Sequence, residues 1–244
     1  MEDSEYHKLA AVEDRMWYFR ALHRHAMERL APNWPSALLD AGCGTGGFLR
    51  RLMRLRPETV AMGIDLSPIA CQLARERCQA SIMEGSVTAL PFDDHQFDAV
   101  TSLDVIYHLD DHMKALAEYF RVLRPGGRAV INVPAYMWLW SYHDEACHGR
   151  HRYTRPELER MLSEVGFEVE KGTYWNSIPF PLIVVKRKMM SRPTDTSDVR
   201  MYPAWAEWLL DAAMSCEHAW IRAIGPLPMG CSVLVSARKP IPSR

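Results

Sequence analysis

The densest run of reactive side chains is His143-Asp144-Glu145-Ala146-Cys147-His148-Gly149-Arg150-His151-Arg152-Tyr153. His143, His148 or His151 can serve as a base near neutral pH, with Asp144 or Glu145 orienting the ring. Arg150 and Arg152 can hold a carboxylate or a phosphate through paired N–H groups. His143, Cys147, His148 and His151 also have spacings that suit a metal. No defined ligand set stands out among them, and a polar loop steadying the helix after it would use the same residues. Substrate contact is the preferred reading, and no metal is expected. Another histidine closes Asp104-Val105-Ile106-Tyr107-His108, directly after an apolar run. His108 is therefore a second candidate base, or else a ring bonded to backbone at a helix start.

A base needs a ligand beside it, and Leu38-Leu39-Asp40-Ala41-Gly42-Cys43-Gly44-Thr45-Gly46-Gly47-Phe48-Leu49 supplies a place for one. An apolar run ends in an acid, passes through a glycine-dense turn and opens a helix. Glycine permits positive φ and lets backbone N–H groups approach a ligand without a side chain in the way. The following helix points its positive dipole end at the same spot. Val60-Ala61-Met62-Gly63-Ile64 reads as a second buried strand ending in Asp65. That acid lies about 20 residues after the turn, where a βαβ unit places a carboxylate for ribose hydroxyls.

The glycines read G-x-G-x-G-G rather than the G-x-G-x-x-G of dinucleotide sites. With Asp40 before them they resemble motif I of the class I S-adenosylmethionine-dependent methyltransferases. Glu84-Gly85-Ser86-Val87 with Leu90-Pro91-Phe92 resembles the third motif of that family. Phe97-Asp98-Ala99-Val100-Thr101-Ser102 resembles its fourth strand, and Leu123-Arg124-Pro125-Gly126-Gly127 the helix end and turn before the fifth. The likeness runs over residues 36–133 in the family's order, which is more specific than any one piece.

The resemblance implies S-adenosylmethionine as cofactor and S-adenosylhomocysteine as product. It places Asp40, Ala41, Gly42, Cys43, Gly44 and Gly46 around the methionine and ribose, with Asp65 on the ribose hydroxyls. Leu66 would pack on adenine, beside Gly85, Ser86 and Val87. Ser86 stands where the family commonly shows an acid for the adenine amino group, so recognition there departs from the pattern. Leu103 would lie beneath the sulfonium, with His108 close by. His108, His143 and His151 are the candidate bases. Trp17, Tyr18, Tyr107, Trp138, Arg150, Arg152 and Tyr153 are the candidate acceptor contacts. The expected activity is methyl transfer to oxygen or nitrogen of a small hydrophobic or aromatic acceptor, such as a quinone precursor, polyketide or lipid-linked compound.

The elements that must position these groups alternate strand and helix, which predicts a Rossmann-like α/β fold with a mostly parallel sheet. The family likeness implies seven strands with the last antiparallel. Residues 1–35 are expected to form a helical cover, with a helix over Leu9 to Leu30 ended by Pro32 and Pro35. Residues 36–244 form the transferase domain, with acceptor-side insertions near 134–153 and 177–228. Ala115, Leu116, Tyr119, Phe120 and Leu123 give a helical stripe after strand four. Thr154-Arg155-Pro156-Glu157 is a capping box that opens the next helix. Ile178 to Val185 is an apolar run beside Lys186-Arg187-Lys188, suited to a lipid-water surface or to an apolar acceptor with an anionic group. Trp205, Trp208, Leu209 and Ala212 form a stripe that suits a cover for the acceptor pocket, a core helix beside a solvated basic turn, or a dimer contact.

At 244 residues the chain can bury a sizeable core. A net charge of -1 gives no reason to expect nucleic acid as partner. The first residues are acidic and polar, unlike a signal peptide, and no apolar run approaches the ~20 residues of a bilayer span. Six cysteines without a C-x-x-C pair read as small buried hydrophobes in a reducing compartment. A cytoplasmic protein is expected, with peripheral membrane contact open and monomer or homodimer undetermined. Three rival readings share the strand–glycine–helix opening: a nicotinamide-dependent oxidoreductase, a nucleic-acid methyltransferase, and a non-catalytic protein that binds the same cofactor.

Overall fold

Alternation of apolar strands with amphipathic helices produces a three-layer sandwich. The computed structural model describes residues 3–189 and 199–242. In chain order the elements begin with α1 (Asp3–Val12), α2 (Trp17–Leu30), β1 (Ala37–Ala41), α3 (Gly47–Leu55), β2 (Val60–Asp65), α4 (Pro68–Arg77), β3 (Ser81–Glu84) and β4 (Phe97–Leu103). They continue with α5 (His112–Val122), β5 (Leu123–Pro134), α6 (Tyr142–Ala146), α7 (Arg155–Val165), β6 (Glu168–Trp175), α8 (Phe180–Met189), α9 (Ala204–Ala223) and β7 (Ser232–Arg238).

The seven strands lie in the order β3-β2-β1-β4-β5-β7-β6. The first five pair in parallel, and β7 runs antiparallel to both β5 and β6. Strand order therefore reverses between β1 and β4, and crevices for ligands open at such points, beyond the carboxyl ends of the strands. Asp40 pairs with Gly63 on one side and Thr101 on the other, so the acid before the glycine turn sits at the sheet centre.

Local signals set most helix starts. Ser67 accepts the Ala70 N–H at 3.3 Å, with Pro68 at the first helical position. Asp111 caps α5 by accepting from the Lys114 N–H at 3.0 Å. Thr154 and Glu157 form the expected capping box of α7, which Gly166 closes at φ +110°.

Two elements differ from the sequence expectation. The helix anticipated from Leu9 to Leu30 is broken at residues 13–16 into α1 and α2. Glu13 lies in that break and is buried, where it accepts from the Thr45 hydroxyl at 2.6 Å and from Arg77 at 2.8 Å. These long-range bonds tie the cover to the glycine turn, and a Cβ on Gly47 would collide with the Glu13 carboxylate. Strand β5 starts at Leu123, because Leu123 already pairs with Phe97 across an irregular register. The Leu123 position thus ends the helical stripe and opens the strand.

The second insertion contains α8 and α9. The stripe anticipated to cover the pocket faces outward, since Trp205 and Trp208 are 71% and 72% exposed. The opposite side of α9 packs on α2 and buries Glu207, Met214 and Glu217. Glu217 accepts backbone N–H groups from Asn176, Ser177 and Ile178, which anchors the chain leaving β6. All six cysteines are free thiols, and Cys43, Cys71, Cys147 and Cys231 are buried. No helix among the described residues is long and apolar enough to cross a membrane.

Replacing Glu217 by Ala strands three buried or half-buried amides. Losing such satisfaction costs about 1–3 kcal/mol per group, so Glu217→Ala should lower unfolding stability by about 2–4 kcal/mol, allowing partial rescue by water. Urea denaturation followed by circular dichroism reads this directly, and an unchanged midpoint would remove the anchoring role.

Candidate functional site

At the carboxyl ends of β1, β2 and β4 a cavity of about 560 Å³ opens between the sheet, the α1–α2 cover and the two insertions. That size suits a small-molecule site. One end is built from the glycine turn. The N–H groups of Gly42 and Cys43 both donate to the Ile64 carbonyl, at 2.8 and 2.9 Å, fixing the turn on the tip of β2. Gly42 has φ +85°, and a Cβ there would strike Val105. Gly44 has φ +52° and open space where its Cβ would stand, so ligand atoms can approach the backbone there.

Asp65 is placed as its spacing predicts. Its Oδ2 accepts from the Gly44 N–H at 2.9 Å and its Oδ1 from the Ser67 N–H at 3.0 Å. Burial raises its pKa, opposed by these amide bonds, and each oxygen keeps a lone pair for a hydroxyl donor. Leu66 is 72% exposed on the rim of the same end, where Gly85, Ser86 and Val87 also line the wall. The Ser86 hydroxyl is engaged within its own turn, bonded to Thr88 Oγ1 at 2.8 Å and accepting from the Thr88 N–H at 3.2 Å. Asp40 lies beneath the turn, 2% exposed, and accepts from the Thr101 hydroxyl at 2.7 Å. Burial pushes its carboxyl up to about 7, against the lowering effect of the Thr101 bond.

The middle of the cavity is the tip of β4. Leu103 lines it, and the next residue, Asp104, has φ +56°, which is uncommon for any residue but glycine. A bond set spanning four elements holds it there. Tyr18 on α2 donates to Oδ2 at 2.8 Å, and Asn132 on β5 donates through Nδ2 to Oδ1 at 2.7 Å. The Trp175 indole on β6 donates to Asn132 Oδ1 at 2.7 Å and stacks on the Tyr18 ring at 5.2 Å. Burial raises the Asp104 carboxyl to about 6, against the lowering effect of Tyr18 and Asn132. A carboxylate poised near neutrality at a cavity wall is a candidate base.

His108 follows on a short 3-10 turn, with its ring packed on Tyr107 at 3.8 Å. Its Nδ1 meets the His148 carbonyl at 3.3 Å. Since a carbonyl only accepts, Nδ1 carries the proton and Nε2 keeps its lone pair. Burial lowers His108 to about 4, so the ring is neutral in ordinary buffers. His143 lines the same wall, and its ring nitrogens lie 3.8 and 3.9 Å from Cys147 Sγ.

The insertion side of the cavity is basic. Arg150 lies at the surface, 3.5 Å from Asp110, and Lys186 and Arg187 on α8 also face the cavity. Arg152 is there too but is 2% exposed and committed: it donates to Asp144 at 2.7 Å and to the Ala135 carbonyl at 3.0 Å. This buried pair pins the first insertion to the end of β5. Trp17 lines the cover side, and its indole Nε1–H is buried with no acceptor among the described residues. Asn176, 4% exposed on the same cavity, likewise has a side-chain oxygen with no donor. Buried unpaired polar atoms at a cavity wall ask for a ligand.

Five residues anticipated at the site do not line this cavity: Ala41 and Gly46 in the glycine turn, and His151, Tyr153 and Trp138. His151 bonds Glu157 at 2.8 Å and packs edge-on to Tyr153. Tyr153 is fully buried, its hydroxyl donating to the Ile106 carbonyl at 3.3 Å. Trp138 is half exposed and stacks on Tyr136 at 5.5 Å. Among the cavity residues that sequence reasoning did not single out are Glu13, Asp104 and Asn176. For Asp104 a signal existed, namely an acid directly after β4; for the other two no local pattern distinguishes them.

Comparison with known proteins agrees with this arrangement. Residues 39–131 match the family model described as Methyltransferase domain. A demethylmenaquinone methyltransferase of Thermus thermophilus is 35% identical over 113 residues, covering 44% of this chain and 51% of that protein. A malonyl-[acyl-carrier protein] O-methyltransferase of Enterobacter lignolyticus is 29% identical over 160 residues, 63% of this chain and 62% of that protein. The chain thus spans about half to three fifths of the length of these curated relatives. Among solved structures, a chain of the complex between the Haloferax volcanii Trm112 methyltransferase activator and its methyltransferase superposes with TM-score 0.68 at 23% identity, covering 99% of this chain and 97% of that one. With residues 39–131 running from β1 into β5 around the glycine turn, this segment of the chain carries a methyltransferase domain within a Rossmann-like sheet.

Proposed function

We propose that this protein transfers the methyl group of S-adenosylmethionine to an oxygen or nitrogen of a small, hydrophobic or aromatic acceptor. The observation that carries this reading is the single cavity in which the glycine turn and Asp65 meet Asp104 and His108 at the tip of β4. When bound, the sulfonium supplies an activated methyl group. The chain's own work is then to hold two ligands in line, exclude water and take a proton. Gly44, Asp65 and Leu66 would hold the nucleoside end, and Tyr18, Tyr107, Trp17 and Asn176 would orient the acceptor. Arg150, Lys186 and Arg187 suit an anionic group on it. Residues 1–35 act as the cover, and the segments near 134–153 and 177–228 form the acceptor side.

A base at the cavity wall is what an O–H or N–H acceptor needs to lose its proton. Asp104 and His108 differ in when they can serve. Asp104 is protonated below about pH 6, whereas His108 is already neutral above about pH 4.

Calorimetric titration with S-adenosylmethionine, S-adenosylhomocysteine and NADH tests the first half of the proposal. Saturable binding of the first two and not of NADH is expected; binding of NADH alone would overturn it. Asp65→Ala removes a charged hydrogen-bond acceptor worth roughly 1.5–3 kcal/mol, so cofactor affinity should fall by about 10- to 100-fold. An unchanged affinity would exclude the ribose role.

Turnover on a panel of prenylated phenols, acyl thioesters, peptides and RNA tests the acceptor class. Transfer only to peptide or RNA would overturn it. If Asp104 takes the proton, the rate rises with pH through about 6. Tyr18→Phe removes a bond that favours the carboxylate and should move that inflection to higher pH, while Asp104→Asn abolishes it. An inflection near pH 4 that survives Asp104→Asn would assign the proton to His108 instead.

A further inference from the structure

Helix α9 uses its charges to hold itself to the protein and turns its apolar side to solvent. Buried Glu207 accepts the Trp17 and Tyr202 backbone N–H groups, each at 2.9 Å. Asp211 pairs with Arg20 and Arg24, and His218 with Glu28. Glu217 anchors the chain after β6, as described above. The outward side shows Trp205, Trp208, Leu209, Trp220 and Ile224, exposed by 71, 72, 54, 51 and 67%. The first four lie on one side of the 20-residue helix and Ile224 just past its end, a strip roughly 30 Å long. An ordinary surface helix has the reverse arrangement, and an apolar strip of this extent marks an interaction surface.

Cations flank both ends of the strip. Arg200 precedes the helix, its guanidinium 5.7 Å from the Tyr202 ring, and Arg222 is 74% exposed near the other end. Every acid of α9 is turned inward to the bonds just named. We propose that this face of α9 docks on the surface of an anionic lipid bilayer. Tryptophan is the side chain that settles at the headgroup level, with its ring in the acyl boundary and its N–H toward water. Flanking arginines are drawn to an anionic leaflet. A second copy of the chain fits less well, because two-fold pairing brings the same cations and the same acid-free face together.

The contact has a consequence for the cavity. Val199 and Tyr202, just before α9, line it, and the Glu207 carboxylate joins the helix to Trp17 on α2, which lines it too. Docking therefore sets the cavity beside the membrane surface, where an apolar acceptor would concentrate. The docking itself goes beyond the transferase reading and needs neither cofactor nor acceptor.

Co-sedimentation of the full chain with vesicles of phosphatidylcholine, with and without phosphatidylglycerol, tests it in the absence of cofactor and acceptor. Binding is expected to the anionic vesicles, weakened by salt, with a blue shift of tryptophan emission. In Trp205→Glu/Trp208→Glu the affinity should fall at least about tenfold, with circular dichroism and S-adenosylmethionine binding unchanged. Should that variant fail to fold, quenching of wild-type tryptophan emission by brominated lipid reads the same contact. Absence of binding to either vesicle at low salt overturns the proposal, as does equal binding to both. Light scattering that shows a wild-type dimer, made monomeric by the double variant and indifferent to vesicles, would assign the face to a second copy.

Discussion

The Asp104 carboxylate is the point on which the site depends. It stands at the carboxyl end of β4 in a backbone conformation that costs about 1–3 kcal/mol for a residue with a side chain. Three long-range contacts offset that cost: the Tyr18 hydroxyl from the cover, the Asn132 amide from β5, and the Trp175 indole behind Asn132 from β6. Each is made by a different element, so the cover and two strands must all be in place before Asp104 can point into the cavity. Removing any one leaves a buried polar group unpaired, which weighs more than the modest net worth of the bond itself.

The same logic of buried polar anchoring recurs around the cavity. Glu13 fastens the cover to the glycine turn through Thr45 and Arg77. Arg152 and Asp144 fasten the first insertion to β5. Glu207 and Glu217 fasten α9 to the cover and to the chain after β6. A buried ion pair adds little net stability over an apolar pair, but breaking it on one side is costly. These contacts therefore act mainly to specify how the irregular segments sit on a regular sheet. The sheet supplies a rigid edge, and the anchored segments decide the shape of what lies above it.

How much of this was legible beforehand depends on the range of the interaction. The glycine turn, Asp65 and the strand rhythm obey short-range rules of conformation and spacing, and they stand where those rules place them. The N-caps of α4 and α5 and the capping box of α7 were legible for the same reason. The break at residues 13–16 was not, because α1 and α2 share one helical pattern and only the reach of Glu13 to Thr45 divides them. Nor was the outward turn of Trp205 and Trp208: periodicity identifies a stripe but not which side of it meets the protein. The acids of α9, with partners as distant as Trp17 and Arg20, decide that.

From the amino-acid order alone follow the class of fold, the glycine turn after β1 and the carboxylate of Asp65 beside it. Each rests on backbone preferences and spacings within some 25 residues, which act before any tertiary contact forms. Only the folded chain decided that Asp104, Asn176 and Trp17 share one cavity and that His151, Tyr153 and Trp138 lie off it. Those placements rest on pairing buried polar groups far apart along the chain, from Glu13 to Glu217. Such pairing leaves no trace in local pattern, because its energetic reward appears only when distant partners leave water together.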